Sequence, residues 1–92
     1  FSMTIPGKLQ SYLACGRPII GSLCGIGADI INESKSGYNA EAENPKALAG
    51  CILNLCKLNN QEKKDLGMNG RAYYEKEFER ELLIKKLNKI LN

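Results

Sequence analysis

Gly16 and Pro18 bracket the point at which this chain is forced out of a helix and into a strand. Upstream, Leu9 and Leu13 lie one helical turn apart with Tyr12 beside Leu13, which makes a short apolar helical face. Thr4 reads as the N-cap of a helix over 5–15, with Pro6 in its first turn, where a missing N–H costs little. Gly16 suits the left-handed position that ends a helix, and Pro18 forbids its resumption. "PIIGSL" follows as an apolar run of strand length without alternation, and such a run requires a strand covered on both faces.

The rest of the chain repeats that rhythm. Gly25 and Gly27 make a loop, and "ADIINES" reads as a short helix with Ile30 and Ile31 inward and Gly37 at its end. "YNAEA" is a weak second strand. Asn44-Pro45 then opens an amphipathic helix bearing Leu48, Ile52 and Leu55. Asn59-x-x-Glu62 has the form of a capping box and starts another helix, with Leu66, Tyr73 and Tyr74 on its buried side. Gly67 and Gly70 weaken that helix or admit a close neighbour. A last helix from about Glu79 carries Leu83, Leu87, Ile90 and Leu91 on one face. Strands alternating with helices predict an α/β fold with parallel strands. Two strands are too few for a parallel sheet covered on both faces, so the chain reads as the last portion of a larger doubly wound domain. Its start at Phe1, in what reads as the middle of an element, also predicts a fragment.

Composition narrows the chemistry. Ninety-two residues hold 13 basic and 10 acidic groups and no histidine. The excess lies in residues 57–92, where charges alternate in sign ("EKEFERELLIKK"), as on a solvated helix face with local ion pairs. Nucleic-acid binding wants clustered Lys and Arg with interleaved aromatics, so no nucleic-acid partner is expected. Cys15, Cys24, Cys51 and Cys56 form no Cys-x-x-Cys pair. Together with the missing histidine, this excludes Cys/His zinc sites of the usual spacing and Ser-His-Asp or Cys-His catalysis. Free thiols in a reducing, cytoplasmic compartment, with no metal, are the expectation. No apolar run approaches the roughly 18 residues of a membrane span, and no basic start with an apolar core marks a signal peptide.

In open parallel sheets, ligands bind beyond the carboxyl ends of the strands, where helix N-termini converge. The first helix therefore begins at the ligand edge, with Thr4, Gly7 and Lys8 around its free N–H groups. A hydroxyl, an approachable backbone and a full positive charge suit a phosphate or diphosphate there. An ordinary capped helix with a solvated lysine is the alternative. "GSLCGIGAD" supplies Gly25 and Gly27 at the same edge. Ile30 stands where a dinucleotide fingerprint needs its third glycine, so a classical NAD site is not expected and a tight strand-to-helix turn is.

"IPGKLQSYLACGRPII", "GIGADIINESKSGY", "NPKALAGCILNL" and "MNGRAYYEKEF", in this order, resemble the C-terminal end of retaining glycosyltransferases of the GT-B fold. The likeness is to the large, family-4-like group that builds bacterial capsule, O-antigen and exopolysaccharide. "P-x-K-x-x-x-Y-x-A-x-G-x-P" is its most specific part. The resemblance implies a partial Rossmann-like nucleotide-sugar-binding region over 1–58, with C-terminal helices over 59–92 packing on the same domain. It implies a nucleotide-diphosphate sugar as donor substrate, no further cofactor, and an acceptor domain N-terminal to these residues. It also implies a site at the cytoplasmic side, peripheral to the inner face of the membrane. Thr4, Gly7 and Lys8 then face the donor diphosphate or sugar, and Gly25 and Gly27 are loop contacts. Many members carry two glutamates, at positions matched here by Met3 and Ser11, so those carboxylate roles do not transfer and no catalytic residue is assigned. Ser11 is left with a weaker hydroxyl contact to ribose. The isolated fragment is expected to be inactive and, through its unpaired sheet edge, to dimerise. A nucleotide-binding or structural interaction module without transferase activity is the alternative function.

Overall fold

The computed structural model describes the backbone of residues 2–4 and 8–91, with side chains from 8 to 90. Three short parallel strands form one sheet in the order β1-β2-β3: β1 (Ser2–Thr4), β2 (Ile19–Ser22) and β3 (Gly37–Ala40). The register pairs Thr4 with Gly21, Gly21 with Asn39, and Ser22 with Ala40. Helices α1 (Leu9–Ala14) and α2 (Ile26–Ser34) connect the strands, and α3 (Pro45–Lys57) and α4 (Asn60–Leu91) follow.

The α/β class and the parallel strands agree with expectation, but the opening does not. Ser2–Thr4 is a strand rather than the approach to a helix, so Thr4 closes β1 and the N-cap position of α1 falls to Lys8. The helix expected over 5–15 begins at Leu9, with Lys8 in the N-cap position and no side-chain cap. A three-residue strand is too short for any alternation to show, and its place is set by its pairing with β2. The helix stop is as read: Cys15 is the last helical turn, Gly16 has φ +69° and its N–H reaches the Leu13 carbonyl at 3.2 Å. Helix α2 ends sooner than expected, with Lys35 left-handed at φ 54°, which frees Gly37 to open β3. At the start of α3 the Asn44 carboxamide accepts the Ala47 N–H at 3.0 Å. The Asn59 and Glu62 side chains take each other's backbone N–H at 2.8 and 3.0 Å, a reciprocal capping box.

Successive strand residues face opposite sides of a sheet. Ile19, fully buried, joins Leu9, Leu13, Leu23 and Ile31 in the core beneath α1 and α2, with Tyr12, Ile30, Tyr73 and Tyr74 packed against it. Ile20 is fully buried too, and α3 contacts β2 and β3 with Leu55 buried on its own face. Both faces of β2 are thus covered, as its unbroken apolar run requires.

Helix α4 departs from expectation in length: its 32 residues make one helix, not two. No Gly or Pro interrupts Ala72–Ile90, and Arg71–Glu75 and Glu77–Arg80 pair along its surface at 2.8 and 3.3 Å. It runs back along α1 in the opposite direction. A Cβ on Gly67 would collide with the Gly16 carbonyl, and one on Gly70 would lie 3.0 Å from Ser36 Cβ and 3.2 Å from Leu13 Cδ2. These glycines admit close neighbours. Arg71 donates to the Ala14 carbonyl at 2.8 Å and Asn69 to the Lys35 carbonyl at 3.0 Å, satisfying acceptors at the ends of α1 and α2. Further along, Tyr73, Tyr74 and Phe78 line a groove with Leu9, Leu13 and Ile30. Burial there, then the charges of Glu33 and Glu77, hold the Tyr73 phenol above its ordinary range despite Arg80, so it stays neutral at physiological pH. At the far end of α4, Leu83, Leu87 and Ile90, expected on one face, are 58%, 48% and 78% exposed. Among the described residues, no helix is long and apolar enough to cross a membrane.

Candidate functional site at the carboxyl edge

Three parallel strands end together. Thr4 closes β1, Ser22 closes β2 and Ala40 closes β3, so the segments leaving them share the carboxyl edge of the sheet. Helices α1 and α2 both start there, each directing unpaired N–H groups and a partial positive charge toward that edge.

The residues expected to bind a ligand distribute as follows. The backbone of Thr4 is at the edge, at the end of β1. Gly7 lies outside the described residues. Lys8 is exposed at the mouth of α1, an unburied ammonium available to an anion. Ser11 is exposed within the first turn of α1. Gly25 is the N-cap of α2 at φ +67°, in the left-handed region, and a Cβ placed on it would meet nothing within 4 Å. Gly27 is not in a loop, as expected, but in the first turn of α2, because the helix already starts at Ile26; it is also more enclosed, and a Cβ there would come 2.9 Å from Leu23 Cδ1. Ile26, between them, is 78% exposed at the rim. The expected residues that are described thus come to one side of the sheet, on β1, α1 and the start of α2. Arg17 sits at the opposite edge, as expected, beside the Gly16–Gly67 contact.

One residue at this edge escaped the sequence reading. The Asn39 side chain, half-buried, accepts the Leu23 N–H at 3.1 Å and donates to the Leu23 carbonyl at 2.9 Å and the Ala40 carbonyl at 3.1 Å. It ties the exit of β2 to the end of β3. The available signal was its type: asparagine is disfavoured in strands, so one inside a three-stranded sheet asks for a reason. Ser22 adds a longer contact, its hydroxyl donating to the Glu41 carbonyl at 3.5 Å.

Among the described residues, no group of three His, Cys, Asp or Glu side chains is arranged to hold a metal. The four cysteines are unpaired; Cys15, Cys24 and Cys56 are exposed and Cys51 half-buried, so they are more open than buried structural thiols.

No family model matches the chain, and no solved structure matches it. Among curated proteins, an uncharacterized glycosyltransferase of Methanocaldococcus jannaschii is 34% identical over 82 residues, covering 80% of this chain and 23% of that protein. The chain therefore spans about a quarter of its relative's length. The similarity supports a glycosyltransferase relationship.

Proposed function

We propose that these residues are the C-terminal, donor-binding part of a longer retaining glycosyltransferase of the GT-B type. It would transfer a sugar from a nucleotide-diphosphate donor to a glycan or lipid-linked acceptor in cell-surface polysaccharide synthesis. One observation carries the reading: Lys8 and Ser11 on α1 and Gly25 and Gly27 at the start of α2 lie on the same, carboxyl side of a parallel sheet. The similarity to a glycosyltransferase supports it. In this reading the Lys8 ammonium and the N–H groups of the two helix starts offset the charge of the departing diphosphate, which grows as the sugar bond breaks. The glycine turn lets the nucleotide approach the backbone, and the Ser11 hydroxyl contacts the ribose. An acceptor domain outside these residues completes the active site at the cytoplasmic face of the membrane. The 92 residues alone transfer no sugar, and β1, an edge strand, favours their self-association.

The test is a titration of the full-length protein with nucleoside diphosphates, wild type against Lys8→Ala. Loss of a charge-assisted contact is expected to weaken binding by about tenfold while leaving thermal stability unchanged. Unchanged affinity in Lys8→Ala removes the lysine from the site. No nucleoside diphosphate binding in the wild type favours an interaction module instead.

A further inference from the structure

We propose that Asn39 is a positioning residue for donor binding, the latch that holds the Leu23–Gly25 turn, and with it the start of α2, in its ligand-ready shape. The inference rests on the donor reading above and adds to it a residue that touches no donor itself.

Strand β2 ends at Ser22 and β3 at Ala40, so Leu23 lies one step past the ladder. Its side chain is buried, and among the described residues no strand residue is paired with it there. A carboxamide carries the same donor and acceptor as a peptide group. Asn39 uses both on one residue, accepting from Leu23 N at 3.1 Å and donating to Leu23 O at 2.9 Å, and it donates to its neighbour's Ala40 carbonyl at 3.1 Å. The side chain thereby stands in for one more rung of the sheet. Gly27, in the first turn of α2, lies close against Leu23: a Cβ there would come 2.9 Å from Leu23 Cδ1. Between the two lie Cys24, Gly25 and Ile26, all exposed, with Gly25 left-handed and open space on its Cβ side. The turn that borders the ligand edge is therefore held at its strand end by the Asn39 carboxamide together with the buried Leu23 side chain.

The chemistry sets which variants are informative. Asn39→Asp keeps the acceptor for Leu23 N–H but loses both donors and points a carboxylate at two carbonyl oxygens. Asn39→Ala removes all three bonds. Ile31→Val, in the core below, serves as a variant that lowers stability without touching the turn.

The experiment compares these three variants with wild-type full-length protein by UDP, GDP, ADP and CDP affinity, and by hydrogen exchange of the Leu23–Ala28 amides. Both Asn39 variants are expected to bind the preferred nucleoside diphosphate about tenfold more weakly, with faster exchange in the turn, because a loosened site must be re-ordered on binding. Ile31→Val is expected to bind as wild type. Affinity equal to wild type in Asn39→Asp and Asn39→Ala overturns the latch alone. An equal loss in Ile31→Val overturns it also, by showing that affinity follows global stability. A wild type that binds none of the four overturns the donor reading and the latch with it.

Discussion

Replacing Gly37 by alanine is expected to destabilise the protein by about 3 kcal/mol, toward the upper end of what one added methyl costs in a packed interior. Gly37 opens β3 directly opposite Ile19 of β2, and a Cβ built on it would collide with the Ile19 backbone itself. A side chain could rotate away from such a contact; a strand backbone that is hydrogen-bonded on both sides cannot. Ile19 is fully buried, so β2 has no room to retreat. Either β3 leaves the sheet or the register shifts, and a shift of one residue would turn Ala40 from the interior to solvent. Chemical denaturation of wild type and Gly37→Ala measures the cost directly. A loss under about 0.5 kcal/mol, the range of ordinary surface changes, would show that the two strands are not as close as described.

Ile31→Ala is expected to cost a similar amount, about 3 kcal/mol within the 2–5 kcal/mol range for truncating a buried aliphatic side chain. Ile31 is fully buried on α2 and joins Leu9, Leu13, Ile19 and Leu23 in one cluster, so its removal leaves a void shared by two helices and a strand. Leu83→Ala makes the same kind of truncation on α4, where Leu83 is 58% exposed. Its cost is expected to stay within about 0.5 kcal/mol in the isolated chain. Comparable losses at the two positions would mean that the far end of α4 is packed against this domain after all.

These contrasts show where the sequence was legible. The stop at Gly16–Pro18, the buried strand after it and the caps at Asn44 and Asn59 were all readable, because each rests on a local rule that no distant contact overrides. Ser2–Thr4 was not readable as a strand, since its only support is a ladder to residues 19–21. Gly37 reads as a helix end from sequence because a glycine signals both a stop and a close approach, and only the partner strand decides which. The far end of α4 kept its apolar periodicity but found no partner among these residues, and period alone cannot say what a face will meet. The placement of the candidate site was legible; its residues' roles were not. A helix start beside a lysine and a glycine turn after a strand can be placed at one sheet edge from topology alone. The Asn39 latch could not, because its bonds to Leu23 depend on where two strands end relative to one another.

The proposed function requires a nucleoside diphosphate to bind at the carboxyl edge, between the starts of α1 and α2. Backbone amide chemical shifts of isotope-labelled full-length protein, followed as the preferred nucleoside diphosphate is added, test it most directly. The predicted result is that perturbations among these residues concentrate at Lys8–Ser11 and Cys24–Ala28, with Gly16, Arg17 and Ser34–Ser36 at the opposite edge unmoved. Shifts centred on the opposite edge, or on the groove between α1 and α4, would contradict it.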